Sequence, residues 1–390
     1  MYWGFLILSD VVTENMTTDT ITSFKGKDMK LKKILYYTIG PEIMPSSRAR
    51  VYIYKKYLTE SGIYVRIIPA IGIKSCEFRI KKINTGIRKM FFAFDAALRL
   101  VFFVISSLFY NTIIIQKILF PVKIIPLMKI IFRNKNMIFD IDDVIFISHQ
   151  NDAANDDENL QKKFSKNMEL YGRIFTSTPF LNKMIEERFG IDSSRIFAVT
   201  DPIDTDVYKS SGRTNRVITI GWIGTPSNTI YLMECLEDLL KLHDEGYAFR
   251  LFFCGADRNY IDNIVENRID CVYENWSLEN EPAIYDSLDI GLMPLPDDVW
   301  SKGKGGYKLM LYMAMEKIAV ASSVGINGII ANDGTNSFLL EPGESWYKKI
   351  KYVLDNYGNL ALVMNAARIK ICSDYSLKKT APLYLKSISF

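Results

Sequence analysis

The feature that most constrains this chain is an alternation, run through twice, of short apolar runs rich in strand formers with segments of helical spacing. Ile34-Leu35-Tyr36-Tyr37-Thr38 is the first such run, and runs of this composition bounded by turn residues form strands. A loop with Gly40, Pro41 and Pro45 follows, then helical spacing over 51–61 closing near Gly62, then a second run at 64–68. Strand, helix and strand in that order make a β-α-β unit and begin a parallel sheet. Further strands are predicted at 111–116, 136–139, 174–177 and 196–200, with a helix through 180–189. A second series starts after Asp206, with strands at 217–222, 251–254, 271–273, 290–293 and 318–321. Its helices are expected at 229–243, 282–287, 308–315, 345–356 and 359–372. The boundary falls at 204–216, where Lys209-Ser210-Ser211-Gly212 is linker-like.

The chain therefore divides into an extension outside the fold (1–28), an α/β unit over 29–205, a second over 206–372, and a final helix, 373–390, crossing back to the first unit through Tyr384, Leu385 and Ile388. A length of 390 residues suits two domains. In open parallel sheets ligands bind beyond the carboxyl ends of the strands, so two facing sheets put a site in the cleft between them.

Apolar residues at 48% and charged residues at 24% give a globular balance. A net charge of +4 is too small to argue for nucleic acid, and no nucleic-acid partner is expected. The charge is unevenly placed: residues 71–139 carry twelve Lys or Arg against two acids, Glu77 and Asp95. The same stretch contains the most apolar part of the chain, including Met90 to Phe94 and Val101 to Tyr110. Asp95 and Arg99 interrupt any membrane span of about 20 residues. Two readings stay open: a helix packed on the sheet, and a basic, aromatic surface lying on an anionic bilayer. The five cysteines are scattered, and His149 and His243 have no ligand-spaced neighbour, so no metal site is expected. Met1 to Leu8 lacks the basic flank and small-residue cleavage site of a signal peptide.

Trp300-Ser301-Lys302-Gly303-Lys304-Gly305-Gly306-Tyr307-Lys308 precedes a predicted helix. Glycines let a backbone approach a phosphate, and a helix N-terminus favours negative charge. The spacing is not that of a P-loop. Phosphate binding and a glycine loop with solvated lysines both remain open here.

Several segments together resemble family 4 glycosyltransferases. They are Gly303 to Leu309, Tyr312-Met313-Ala314, Ala319 to Ser322 and Val324 to Asn327 around the donor loop. Earlier, and in matching order, come Ser46-Ser47-Arg48-Ala49-Arg50, Phe139 to Asp143, Pro202 to Tyr208, Gly221 to Thr225 and Asp289 to Leu295. The resemblance covers about residues 31–385. It implies the GT-B fold, two Rossmann-like domains facing a cleft, and retention of configuration at the sugar's anomeric carbon. It implies a nucleotide-sugar donor, a UDP- or GDP-sugar, and no cofactor.

Carried over residue by residue, the resemblance puts the donor diphosphate against Gly221, Trp222, Gly224 and Thr225 and against Lys302, Lys304, Gly305 and Lys308. Gly255 and Trp276 would line the base pocket, and Arg48 would face the phosphates from the other domain. Asp142 or Asp143 would touch the acceptor or the transferred sugar. Two departures stand out. Gly303 and Leu311 occupy the positions of the family's paired glutamates, the second of which holds ribose hydroxyls. Ile223 and Ser227 lie where an Arg and a Lys are usual.

Blander alternatives accompany these assignments. Asp140, Asp142 and Asp143 are expected to cap a loop or pair with lysine rather than bind a metal, and Arg48 and Arg50 either face phosphate or form surface salt bridges. Trp222 and Trp276 suit a core as readily as a stacking platform. The acceptor is expected to be a glycan or lipid-linked hydroxyl in surface polysaccharide assembly, with the protein in the cytoplasm, peripheral on the inner face of the membrane. A dehydrogenase or epimerase is disfavoured, since no G-x-G-x-x-G follows a strand. The rival is a non-catalytic binding subunit of a glycan assembly complex, which Leu311 favours.

Overall fold

The computed structural model describes residues 32–80, 86–147 and 158–388. The extension expected at 1–28 and His149 lie outside the described residues. Twelve strands form two parallel sheets of six. The first holds β1 (Lys33–Thr38), β2 (Tyr64–Pro69), β3 (Thr112–Gln116), β4 (Asn136–Ile141), β5 (Arg173–Thr176) and β6 (Ile196–Ala198), in the order β2-β1-β3-β4-β5-β6. The second holds β7 (Ile218–Ile223), β8 (Phe249–Cys254), β9 (Cys271–Glu274), β10 (Ile290–Met293), β11 (Ile318–Ser322) and β12 (Phe338–Leu340), in the order β12-β11-β10-β7-β8-β9. The helices that matter for the site are α1 (Ile53–Glu60), α2 (Ile73–Ile80), α3 (Gly86–Ser107), α4 (Ile125–Ile131), α5 (Glu281–Asp286), α6 (Tyr307–Ala314) and α7 (Leu377–Ile388).

The central strands carry unbroken apolar runs because helices cover both faces of a parallel sheet. Every residue of β3 is buried, as is every residue of β10 and β11. In the first sheet the order of strands turns back between β1 and β3, and in the second between β7 and β10. Those reversals open crevices at the carboxyl ends of these strands.

Several local outcomes differ from the sequence expectation. The helix expected over 229–243 is divided: a 3-10 helix at Pro226–Glu234 ends where Cys235 takes φ −136°, and an α-helix runs over Leu236–Asp244. Its early part is held by a tertiary contact, the Asp257 N–H donating to Thr229 Oγ1 at 2.8 Å. The strand β12 went unpredicted, since three residues are too few to show a period. The helix Glu158–Met168 was also unpredicted.

α7 packs on the first sheet. Ser376 forms a parallel bridge with Ile203, and the Leu377 N–H donates to the Ile203 carbonyl at 2.8 Å. Tyr384 stacks on Tyr54 at 3.9 Å between ring centroids, and its hydroxyl lies 3.0 Å from that of Tyr36. Ala381 and Ile388 join the same buried cluster as Ile34 and Val51. Tyr384→Ala should therefore lower unfolding free energy by about 3–5 kcal/mol. Tyr384→Phe leaves only the Tyr36 hydroxyl unpaired and should cost about 1–3 kcal/mol. Urea denaturation monitored by tryptophan fluorescence separates the two.

Candidate active site

The carboxyl ends of β1, β3 and β4 carry a buried ionic cluster. Asp140 is the last residue but one of β4, and Arg50, reaching down from the helical segment after β1, meets both its carboxylate oxygens at 3.0 and 2.8 Å. The same guanidinium bonds Asp201 at 2.9 Å and the Val199 carbonyl. Two acids against one guanidinium leave a surplus of negative charge, and burial pushes the Asp201 carboxyl up to about 6, with Arg50 opposing and Asp142 adding to the shift. Burial also raises Asp140 despite Arg50.

Beside this cluster Lys117, directly after β3 with φ +55°, reaches both Asp142, at 2.9 Å, and Asp143. Ser46 donates to Asp142 Oδ2 at 2.5 Å and accepts from Gln116 Nε2 at 3.0 Å. Burial works against ionisation of Asp142, but Lys117, Arg50 and the Ser46 hydroxyl hold its carboxyl below the ordinary range. A carboxylate held so firmly ionised orients a hydroxyl better than it accepts a proton.

A second ion pair joins the two sheets. Arg48 meets Glu281, at the start of α5, at 3.0 Å, and its guanidinium lies 4.9 Å from the centre of the Trp276 ring. The Trp276 indole N–H donates to the same carboxylate at 3.0 Å, and Tyr208 donates to its other oxygen. All three polar partners converge on one buried acid, which satisfies it fully.

On the side of the second sheet, the turns after β7 and β8 touch. Gly255, at φ +74°, lies against the Gly224 carbonyl so closely that a Cβ would collide with it. Gly224 in turn lies on the Trp222 indole. The glycine loop runs on to the loops of the first sheet, where Gly303 abuts Val144 and Gly305 abuts Asp201 and Ser177. Gly306, at φ +69°, begins α6 with Ile326 and Ile330 packed where a side chain would stand. The first N–H groups of any helix have no intrahelical acceptor.

Two lysines at this helix start are left without carboxylate partners among the described residues. Lys308 lies 4.7 Å from the centre of the Trp222 ring, and Lys304 sits between the rings of Tyr231 and Trp300 at 5.6 and 5.7 Å. Burial, with Lys304 adding to it, lowers the Lys308 ammonium to about 7. Burial also lowers Lys304. Unpaired ammonium groups pressed into aromatic walls make a site for a multiply charged anion.

The sequence-predicted residues divide on this geometry. Asp142, Asp143, Arg48, Trp276, Gly224, Gly255, Lys304, Gly305 and Lys308 lie at the strand ends and loops described above. Thr225 lies exposed at the start of the 3-10 helix, its hydroxyl 3.2 Å from that of Ser227. Gly221 stands inside β7 and makes room for Leu288, a packing role. Trp222 is fully buried, with its ring beneath Lys308. Lys302 pairs with Asp297 at 2.8 Å, so its charge is already met. Arg50 corrects the expectation for the second arginine of its motif: it is neither at a phosphate nor on the surface, because Asp140 and Asp201 take its donors inside the protein. Sequence reasoning missed Lys117, Asp201, Tyr208 and Glu281, each a single polar residue whose partners are remote in the chain.

Residues 214–356 match the family described as glycosyl transferases group 1. By sequence, no curated protein matches the chain. Solved structures of similar fold include a glycosyltransferase from Rickettsia africae, 17% identical, with a TM-score of 0.68 over 92% of this chain and 98% of that one. The Anabaena protein HepE, in complex with UDP and glucose, is 12% identical, with a TM-score of 0.67 over 92% of this chain and 99% of that one. Sucrose-phosphate synthase from Thermosynechococcus elongatus is 10% identical, with a TM-score of 0.67 over 91% of this chain and 98% of that one. At these identities the likeness shows the fold: α/β, of GT-B type, with two Rossmann-like sheets.

Lys308 supplies a direct test of the anion site. With an ordinary value of 10.5 lowered to about 7 in the folded chain, the unfolded state binds more protons between those limits. Stability should therefore rise with pH from about 7 towards 10.5, the full penalty being present below 7. Pyrophosphate restores the ammonium, so its binding at about pH 8 should take up close to one proton. Calorimetry in buffers of different ionisation enthalpy measures the uptake, which Lys308→Met should abolish.

Proposed function

We propose that the chain is a retaining hexosyltransferase that moves a sugar from a UDP- or GDP-sugar to a hydroxyl of a glycan or lipid-linked acceptor in surface polysaccharide assembly. The observation that carries the proposal is the pair of half-buried lysines, Lys304 and Lys308, at the glycine-led start of α6, with no carboxylate partner among the described residues. The family match over 214–356 covers that segment, and HepE has been crystallised with UDP and glucose. Retention, the hexose and the acceptor class rest on the resemblance to family 4 glycosyltransferases.

In this reading the bond between the anomeric carbon and the phosphate oxygen breaks. Lys304, Lys308 and the first N–H groups of α6 meet the charge that develops on the leaving diphosphate. The acceptor hydroxyl attacks from the same face and its proton passes to the departing phosphate oxygen. Asp142 and Asp143, fixed by Lys117, orient the acceptor. Positioning carries more of the work than a strong base. Arg48 reaches the phosphates only by exchanging its contact with Glu281.

A second reading has one observation in its favour. Leu311, standing where the family has a ribose-holding acid, is buried in the core of the second sheet's cluster. A chain that binds a nucleotide sugar without turning it over is the consequence that substitution would have.

A donor screen on the purified protein decides between them. Thermal shift and release of nucleoside diphosphate are followed with UDP- and GDP-sugars, with and without lipid extract. The transferase reading expects a shift with one donor and extract-dependent release. Lys304→Ala should lower that release by about 10²–10³-fold. A shift without release supports the binding subunit, and no shift with any donor overturns both.

A further inference from the structure

The helix α3 is built inside out. Its inward side carries Asp95, 4% exposed, which accepts from the Gly72 N–H at 2.8 Å, the Ser75 hydroxyl at 2.7 Å and Arg99 Nε at 2.7 Å. Phe103 on the same side stacks on Tyr37 of β1 at 4.2 Å. The opposite side is apolar and faces outward. Met90, Phe94, Val101 and Ile105 recur at helical spacing, with Leu108 and Phe109 just beyond, all more than half exposed and Met90 75% exposed. From Met90 to Ile105 the stripe runs about 22 Å along the helix, at 1.5 Å per residue.

A neighbouring element adds exposed apolar residues of its own. Phe132, closing α4, packs against Phe103 with ring centroids 6.0 Å apart. α4 also turns apolar residues outward, Leu127 and Ile130, the latter 72% exposed. Singly exposed apolar residues need no explanation, but a row of them along one face of a helix does.

The charge around the stripe selects what covers it. Lys74, Lys89, Lys123 and Arg133 are exposed and have no carboxylate partner among the described residues. Of the two acids in residues 71–139, Asp95 is consumed internally by Arg99, Gly72 and Ser75. An apolar helix face with exposed cations on its own and neighbouring elements suits the interface of an anionic bilayer.

Among the described residues one helix, Lys89–Ser107, is long and apolar enough to cross a membrane. Crossing would strip Asp95 from Gly72 and Ser75 and Phe103 from Tyr37, leaving an acid within hydrocarbon. Lying flat keeps every one of those contacts. We infer that the outer face of α3, together with that of α4, seats this chain as a peripheral protein on an anionic leaflet, the cytoplasmic side of the membrane. The inference does not depend on the donor site, so either can fail alone.

Flotation with vesicles of phosphatidylglycerol and phosphatidylcholine, against pure phosphatidylcholine, tests it on the full chain. The wild type should float with the anionic vesicles, and added salt should weaken its attachment. The combined variant Lys74→Glu, Lys89→Glu, Lys123→Glu and Arg133→Glu should bind roughly tenfold or more weakly. Phe94→Ser with Val101→Ser and Ile105→Ser, all at exposed positions, should abolish floating while keeping the wild-type melting transition. A wild type that stays in the aqueous phase overturns the inference, as does a stripe variant that floats unchanged. Self-association of the wild type that the stripe variant abolishes would give the face to a second copy of the chain and overturn it too.

Discussion

Arg50 is the group on which the geometry of the cleft depends. It ties the end of β4, through Asp140, to the exit from β6, through Val199 and Asp201, and it does so from the helical segment that follows β1. Three chain segments that are far apart in sequence are thereby set at fixed separations in a place where water cannot substitute for a lost partner. Breaking one member of a buried ion pair costs about 3–5 kcal/mol because the other charge is left uncompensated. The consequence reaches the second sheet as well, since Gly305 rests on Asp201. The floor of the cleft is therefore an ionic cluster, and the glycine loop is shaped to lie on it without a side chain in between.

The charges on the two sides of the cleft are used differently. On the side of the first sheet each cation is spent: Arg50 on Asp140 and Asp201, Lys117 on Asp142 and Asp143, Arg48 on Glu281. On the side of the second sheet Lys304 and Lys308 lie over aromatic rings and form no ion pair among the described residues, although Asp143, Asp298 and Asp142 act on Lys304 from a distance. Burial lowers the proton affinity of both, and an anion bound beside them would raise it again. Arg48 stands between the two cases. Its partner Glu281 is also held by Trp276 and Tyr208, so the acid keeps two donors if the guanidinium turns to a phosphate. That redundancy makes an exchange of partners cheap, where the same exchange at Arg50 would leave bare carboxylates.

The alternation of strands and helices was legible in the sequence because buried parallel strands such as β3 and β10 are built around apolar runs and helices between them keep their own period. What was not legible had physical reasons. β12 is too short to show a pattern, and the 3-10 segment at Pro226–Glu234 is held by Thr229 receiving the Asp257 N–H, a contact no local spacing announces. In the site, the glycines and lysines of the donor loop were visible as a motif. Lys117 and Glu281 were not, because each is one polar residue whose meaning comes from partners in other elements. Gly221 shows the converse: a glycine in a motif whose function in the fold is to admit Leu288.

Leu311 shows how composition at one position redistributes the work of recognition. It is 1% exposed, on the face of α6 that enters the core. An acid there would have to be desolvated and paired inside a cluster made mostly of apolar side chains. The leucine removes that cost and strengthens the core, but it offers no hydrogen bond to a ribose. Polar groups of a ligand left unpaired in a closed site weaken binding. For a nucleotide held here, more of the affinity must then come from charge, which is where Lys304 and Lys308 stand without an ion pair among the described residues. Ammonium groups pressed against aromatic rings bind an anion with a strength set more by pH and ionic strength than by shape.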